Sequence, residues 1–172
     1  MSGSPTPFLP YGRQSVTEAD IAAVVEVLRS SYLTQGPTGP AFERAVAAKV
    51  NASYGVAVNS ATSALHIACL ALGLGSGDRL WTSPITFVAS ANCGRYCGAD
   101  VDFVDIDPVT GLMSVPALAE KLSRAEQTGT LPKIVIPVHL TGSSCNMEAI
   151  SALADQYGFS IIEDASHAIG GF

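Results

Sequence analysis

Apolar residues in the first fifty positions recur at helical spacing in two stretches. Thr17 and Asp20 have the three-residue spacing of a capping box, which predicts a helix that begins at this point. The apolar positions of this first helix are Ile21, Val24, Val25 and Leu28. A second amphipathic stretch has Phe42, Val46 and Val50 on one face, and the Gly- and Pro-rich segment 30–40 separates the two helices.

From Tyr54 onwards, short apolar runs that predict strands alternate with helical runs. The predicted strands are YGVAVN (54–59), RLWTS (79–83), VDFVDI (101–106), KIVIPV (133–138) and FSIIED (159–164). The predicted helices lie in 60–73, 86–98, 114–126 and 146–158. Strands that are apolar throughout are buried on both faces, and parallel strands need crossover helices. The pattern therefore predicts an α/β fold, a three-layer αβα arrangement with a parallel or mostly parallel sheet.

Composition excludes several classes of protein. The 172 residues are 48% hydrophobic and 14% charged with a net charge of −6, which is not the composition of a disordered chain. The few basic residues are scattered, so we expect no nucleic-acid binding. No apolar run is long enough to cross a membrane, and the first ten residues lack the pattern of a signal peptide. We expect a cytoplasmic protein that does not bind a membrane.

Neither the cysteines nor the histidines indicate a metal site. The cysteines form no CxxC pair, and we expect reduced thiols packed as small hydrophobic side chains: Cys69, Cys93, Cys97 and Cys145. His139, Asp164 and His167 would supply two imidazoles and one carboxylate, but they lack the short spacings typical of such ligand sets. We therefore expect no metal.

Ligands of open α/β sheets bind at the carboxyl ends of the strands, so the residues directly after each predicted strand are candidates. Segment 59–63 (NSATS) runs from a strand into a helix, where hydroxyls and free N–H groups form an anion site or an ordinary N-cap. Phe87 follows the second strand and fits either a ligand site or the core. His139 follows the fourth strand and fits either a site or a structural hydrogen bond.

The last predicted strand ends in two carboxylates, Glu163 and Asp164. Carboxylates at the end of a buried strand are costly unless a cation or a hydrogen-bond donor meets them. We expect one to face the site and the other to face solvent or a neighbouring donor. GxGxxG and GxxxxGK[ST] motifs are absent, which counts against the common nucleotide-cofactor and P-loop sites. The GxSxG motif is also absent, which excludes an α/β-hydrolase site.

Taken together, these segments resemble the DegT/DnrJ/StrS family of sugar-nucleotide aminotransferases. The motifs that carry the resemblance are LTQGP (33–37), AVNSATSALHIACLALGLGSGD (57–78), TSPITFVASANC (82–93), VDFVDIDP (101–108), IPVHLTG (136–142) and IIEDASHAIGG (161–171). The resemblance implies an incomplete large domain of the aspartate aminotransferase-like, fold-type I transferases that use pyridoxal 5′-phosphate (PLP). Within the family, the sequence is most similar to the UDP-4-amino-4,6-dideoxy-N-acetyl-β-L-altrosamine transaminases of pseudaminic acid biosynthesis.

The resemblance also implies roles for individual residues. Asp164 would pair with the pyridine nitrogen, Phe87 would stack on the ring, and His167 would lie beside the ring where many relatives have Gln. Ala61 and Thr62 would hold the phosphate, although Gly is common in the family where Ala61 stands. Four further residues are expected near the substrate entrance: Tyr11, Gly12, Thr34 and Gln35.

The Schiff-base lysine of the family lies downstream of the EDASHAIGG segment, and the chain ends before that point. Neither Lys49 nor Lys121 nor Lys133 follows a predicted strand, so none is expected in the site. We therefore expect an N-terminal fragment that is inactive alone. Its expected parts are an N-terminal arm, helix and substrate-side loop (1–40) and the N-terminal part of the PLP-binding large domain (41–172).

The resemblance implies that the full-length parent transfers an amino group from L-glutamate to a UDP-linked 4-keto-6-deoxy-N-acetylhexosamine and forms a homodimer. One alternative is a sugar-nucleotide 3-dehydratase of the same family that uses pyridoxamine phosphate (PMP). Another is a non-catalytic fragment that binds the cofactor or a partner.

Overall fold

The computed structural model describes Phe8 and residues 13–171. Its helices and strands alternate along the chain as the sequence predicts from residue 60 onwards. In chain order they are α1 (Glu18–Arg29), α2 (Thr38–Lys49), α3 (Ala61–Ala71), β1 (Arg79–Thr82), α4 (Ala89–Tyr96), β2 (Asp100–Phe103), α5 (Val115–Thr128), β3 (Ile134–Ile136), a 3₁₀ turn (Leu140–Gly142), α6 (Met147–Tyr157) and β4 (Ser160–Ile161).

The four strands form one parallel sheet in the order β2-β1-β3-β4. After β2 the chain crosses back over β1 to form β3, so the direction in which strands are added reverses between β1 and β3. Ligands of α/β proteins bind at such a reversal. Beyond β3 and β4, the parallel pairing continues as a single bridge between Val138 and Asp164.

Successive strand residues face opposite layers of helices, because side chains alternate across a sheet. Leu80 and Ile134 pack in one core with residues of α3 and α4. Trp81 and Val135 pack in a second core with residues of α5 and α6. Helices therefore cover both faces of the sheet, which confirms the predicted three-layer αβα fold.

The cysteines occupy the packing positions that the sequence predicts. Cys69 and Cys93 are fully buried between α3 and α4, Cys97 is partly buried against them, and all four thiols are free. The hydrogen bond with Cys93 and burial both raise the pKa of the Cys69 thiol. Burial raises the pKa of Cys145, whose Sγ donates to the Val138 carbonyl. Raised pKa values keep these two thiols protonated at neutral pH.

The predicted strand at 54–59 is wrong, because this segment has no regular secondary structure. A strand needs a neighbour that supplies hydrogen bonds, and no strand in the described part of the chain lies beside it. Instead, the Ala57 N–H donates to Glu43 Oε1 over 2.9 Å, while the Tyr54 side chain is exposed. The chain approaches α2 so closely that a Cβ on Gly55 would lie 2.5 Å from the Glu43 carbonyl oxygen.

The first two helices form where the sequence predicts them, but they bury little. Both hydrogen bonds of the capping box are present, since the Asp20 N–H donates to Thr17 Oγ1 and the Thr17 N–H donates to Asp20 Oδ2. No residue of α1 is buried, and Ala47 is the buried residue of α2. The domain division at residue 40 remains a prediction.

Among residues 13–171, no helix combines the length and hydrophobicity needed to cross a membrane.

Leu122 tests the core between the sheet and α5. Its side chain is fully buried, so we expect Leu122→Ala to lower the free energy of unfolding by about 2–5 kcal/mol through lost burial and a residual cavity. Urea denaturation of the chain measures this change. Leu70→Ala is the matched control because Leu70 is 53% exposed, and we expect a loss below about 1 kcal/mol. Equal losses at the two sites would contradict the described core.

The ion pair between Asp78 and Lys133 predicts a pH-dependent contribution to stability. Lys133 Nζ lies 2.8 Å from Asp78 Oδ2, and the Lys133 hydrogen bond and the Gly75 N–H together lower the pKa of Asp78. A carboxyl whose pKa is lowered on folding stabilises the protein above its unfolded value of about 3.9, and this stabilisation is lost as pH falls through the folded value.

We therefore expect Asp78→Asn to be less stable than wild type at pH 7, with the difference shrinking as pH falls below about 3.9, as measured by urea unfolding. Lys133→Met should show the same pH dependence, because it removes the other partner. A stability difference that does not change with pH would contradict this assignment.

Candidate functional site

A cavity of about 190 Å³ lies where the chain leaves the carboxyl ends of β1, β3 and β4. The first turn of α3 forms another wall. This is the edge of the sheet and the strand reversal at which α/β proteins bind ligands. Its lining residues are Ala61, Thr62, Leu65, Thr86, Phe87, Ala89, Val138, His139, Leu140, Asp164, Ser166 and His167.

The structure brings together in this cavity all five residues that the sequence analysis assigned to the cofactor. They are Ala61, Thr62, Phe87, Asp164 and His167. Because these residues come from three separate segments of the chain, only the fold makes them neighbours.

Of the four residues predicted near the substrate entrance, Thr34 and Gln35 do not line the cavity and are exposed in the loop between α1 and α2. Tyr11 and Gly12 lie outside the described residues. Their substrate role therefore remains a prediction.

The first turn of α3 has the features of an anion site. The Ser60 hydroxyl caps the helix by accepting the Ser63 N–H over 3.2 Å, and the Ser63 hydroxyl donates to Asn59 Oδ1 over 2.7 Å. The side chains of Ser60 and Ser63 are thus used within the turn itself. The N–H groups of Ala61 and Thr62 have no partner within the helix, and both residues face the cavity. With the Thr62 hydroxyl, they offer donors at the positive end of a helix.

Asp164 supplies a buried negative charge at the opposite side of the cavity. Its backbone continues the sheet, because its N–H donates to the Pro137 carbonyl and its carbonyl accepts the His139 N–H. The side chain is only 7% exposed. None of the ion pairs among residues 13–171 involves Asp164. A buried carboxylate without a cation is costly, so this site favours a cationic ligand.

Two hydroxyls hold the Asp164 carboxylate. Ser90 Oγ donates to Oδ2 over 2.7 Å, and Ser166 Oγ donates to Oδ1 over 2.6 Å. Sequence reasoning missed both serines. Ser166 was detectable, since a serine two residues after an aspartate often bonds it locally. No signal in the sequence identifies Ser90, which lies 74 residues from its acceptor.

Phe87 is not a core residue. Its side chain is 73% exposed and forms part of the cavity wall just before α4. A large exposed aromatic ring beside a cavity provides a flat apolar surface for a ligand ring. The structure therefore favours the site interpretation of Phe87.

His139 has the structural role that the sequence analysis kept open. Its Nδ1 accepts the Cys145 N–H over 3.1 Å, so the ring proton lies on Nε2 in the neutral form. Nε2 is 2.8 Å from Glu163 Oε2 and donates to it. Glu163 therefore faces a neighbouring donor while Asp164 faces the cavity, as the sequence predicts. His139 lines the cavity but both of its nitrogens are used elsewhere.

No group of three or more histidine, cysteine or acidic residues in the described part of the chain has the geometry to hold a metal ion. The lysines also lie outside the cavity. Lys121 pairs with Asp102 and lies over the Trp81 ring, and Lys133 pairs with Asp78. Lys49 is exposed at the end of α2.

The residues of the cavity fit PLP. The cofactor combines a phosphate, a flat ring and a ring nitrogen that is cationic when protonated. The cavity offers an anion site at Ala61 and Thr62, an exposed ring at Phe87 and a buried carboxylate at Asp164 that lacks a cation.

Comparisons with known proteins agree with this interpretation. Over 162 residues the chain is 43% identical to the spore coat polysaccharide biosynthesis protein SpsC of Bacillus subtilis, covering 94% of this chain and 40% of that protein. It is 40% identical to the UDP-4-amino-4-deoxy-L-arabinose--oxoglutarate aminotransferase of Shewanella sediminis, covering 95% of this chain and 40% of that enzyme. The chain thus spans about 40% of the length of these relatives.

Solved structures have the same fold. Helicobacter pylori PseC, an aminotransferase involved in the biosynthesis of pseudaminic acid, matches with a TM-score of 0.84 and 31% identity over 94% of this chain and 42% of that chain. Spr1654 of Streptococcus pneumoniae matches with a TM-score of 0.83 and 28% identity in its PLP form, over 94% of this chain and 44% of that chain. It was also solved in a PMP form.

These comparisons show a family of PLP-dependent sugar aminotransferases and do not favour the sugar 3-dehydratase alternative. The family description DegT/DnrJ/EryC1/StrS aminotransferase matches residues 14–171, nearly all of the sequence. The chain therefore belongs to the DegT/DnrJ/EryC1/StrS aminotransferase family.

Proposed function

We propose that this chain provides the PLP-binding pocket of a sugar-nucleotide aminotransferase. One observation carries the proposal: a buried carboxylate without a cation, an exposed aromatic ring and a free helix N-terminus line the same cavity. Each feature complements one part of PLP. When bound, PLP supplies a pyridinium ring that stabilises negative charge on the carbon that carries the amino group.

In this proposal Asp164 holds the proton on the ring nitrogen. An ionised carboxylate beside the nitrogen raises the affinity of that atom for its proton, and burial strengthens the interaction. The backbone hydrogen bonds of Asp164 to Pro137 and His139 attach the carboxylate to the sheet. A rigid element positions a functional group more precisely than a loop does.

Phe87 and His167 would orient the ring. Phe87 is exposed at the cavity wall, and its ring would cover one face of the cofactor ring and exclude water there. His167 is also exposed at the cavity wall and would provide a hydrogen-bonding group to the cofactor. Ala61 and Thr62 would bind the phosphate through their N–H groups and the Thr62 hydroxyl.

The substrates that we propose are L-glutamate as amino donor and the 4-keto carbon of a UDP-linked 6-deoxy-N-acetylhexosamine as acceptor. The name of the Shewanella relative, a UDP-sugar–oxoglutarate aminotransferase, supports a nucleotide sugar and a glutamate-type donor. The likeness to PseC supports a sugar of the pseudaminic acid type. The resemblance of the sequence motifs to altrosamine transaminases supports the same proposal.

A lysine from outside the described residues would complete the reaction. Amino transfer needs a base that moves a proton at the amino-bearing carbon, and none of the three lysines of this sequence lines the cavity. The chain would then bind the cofactor without turnover.

We also propose that the parent protein is a homodimer, which the exposed apolar face of α1 (Ile21, Val24 and Leu28) supports.

PMP binding tests the pocket directly, because PMP carries the ring and the phosphate but needs no lysine. We expect the chain to bind PMP and Asp164→Asn to weaken binding roughly tenfold or more, since a charge-assisted hydrogen bond contributes about 1.5–3 kcal/mol. Isothermal titration measures the affinity. Asp155→Asn, an exposed position on α6, is the matched control and should bind like wild type. Equal affinities for wild type and Asp164→Asn would contradict the proposal.

Borohydride reduction after incubation with PLP tests the lysines. We expect no single lysine to be labelled preferentially, because Lys49, Lys121 and Lys133 all lie outside the cavity. Peptide mass spectrometry locates the label, and the same experiment on Asp164→Asn should give the same pattern. Stoichiometric labelling of one lysine that disappears in Asp164→Asn would show that a lysine of this chain reaches the pocket.

A further inference from the structure

Ser90 is fully buried in the first turn of α4, and its hydroxyl contacts three polar atoms. Oγ lies 2.7 Å from Asp164 Oδ2, 2.8 Å from Thr86 Oγ1 and 3.2 Å from the Phe87 carbonyl oxygen. The Phe87 contact has the geometry of the back-bond that a serine can make within a helix turn, and it competes with Asp164 for the single hydroxyl proton. The other two contacts lead from the cavity wall at Thr86 to the carboxylate of Asp164.

Each hydroxyl has one proton to donate, and this fixes the donor and the acceptor in the hydrogen bonds that join Thr86, Ser90 and Asp164. A serine hydroxyl donates one proton and accepts on its lone pairs. Carboxylate and carbonyl oxygens only accept, and the shorter, charge-assisted contact is the one to Asp164. The Ser90 proton is therefore directed at Asp164 Oδ2. Thr86 Oγ1 in turn donates to Ser90 Oγ, which strengthens the Ser90 bond by polarising it.

This direction holds Oδ2 of the Asp164 carboxylate with a donor from a separate element, α4. Without Ser90, the hydrogen bonds from Ser166 to Oδ1 would hold the carboxylate from one side only. The two serines that hold the carboxylate also differ in rigidity. Ser166 is exposed and lies only two residues after Asp164, whereas Ser90 belongs to a separate helix packed on the sheet.

We propose that Ser90, supported by Thr86, is a positioning residue that keeps the Asp164 carboxylate turned towards the cofactor ring nitrogen. The inference rests on the proposed function, because it assigns Asp164 to that nitrogen. Ser90 acts through Asp164 and does not line the cavity itself.

Bound PMP tests the positioning role of Ser90, because the pH at which its ring nitrogen loses a proton depends on how Asp164 is held beside it. We expect Ser90→Ala to weaken PMP binding about tenfold and to lower the pH at which the bound ring loses its proton, followed by ultraviolet absorbance. Thr86→Val, which keeps the shape but removes the hydroxyl, should shift this pH in the same direction by less. Ser90→Thr should restore both values to within about twofold and a few tenths of a pH unit.

Thr62→Ala is the matched control. It removes a hydroxyl from the phosphate end, so it should weaken PMP binding several-fold while the ring titrates at the wild-type pH. If Ser90→Ala and Thr86→Val also leave that pH unchanged, Ser90 has only a packing role and the inference is wrong.

A double-mutant cycle without ligand separates this inference from the proposed function. We expect Ser90→Ala to raise the urea-extrapolated unfolding constant about tenfold in wild type but only about twofold in Asp164→Ala, where the acceptor is absent. If the wild-type chain binds no PMP, the proposed function fails and this cycle alone decides the role of Ser90. Equal effects in the two backgrounds would refute the coupling of Ser90 to Asp164.

Discussion

The arrangement of the pocket depends on how the structure tolerates the buried carboxylate of Asp164. No cation pairs with it among residues 13–171, and neutral hydroxyls from Ser90 and Ser166 satisfy its two oxygens. Hydroxyls stabilise the charge without neutralising it. The negative charge therefore remains available to a cation that enters the cavity, which is the property that a PLP site needs.

The topology of the parallel sheet brings the segments that form this pocket together. The chain reverses its direction of strand addition between β1 and β3, so the segments after β1, β3 and β4 leave the sheet around one space. Phe87, His139 and Asp164 belong to these segments, and the N-terminus of α3 closes the cavity from the side. Because both faces of the sheet are covered by helices, the carboxyl edge is where polar groups can gather without disturbing the core.

The differences between the sequence pattern and the structure depend on distant partners. Segment 54–59 has the composition of a strand, yet it forms none because pairing requires a neighbouring backbone. The first two helices form where the sequence predicts them, and α1 has the predicted capping box, but both leave most of their apolar residues exposed. The spacing of apolar residues indicates that a helix can form, whereas the burial of those residues depends on the elements that pack against the helix.

By itself, the sequence determined the alternation of strands and helices from residue 60, the three-layer class and the residues that stand at strand ends. It also carried the motifs that identify the family. These are local properties, since periodicity, capping and motif spacing involve residues close together in the chain.

Only the tertiary structure decided which of the candidate residues share a site and what each one contacts. It separated Asp164, which faces the cavity, from its neighbour Glu163, which pairs with His139. It also revealed Ser90, whose hydroxyl reaches across 74 residues of sequence to the carboxylate. The physical reason is that a hydrogen bond requires atoms within about 3 Å, and contacts between distant segments exist only once the sheet and its helices have packed.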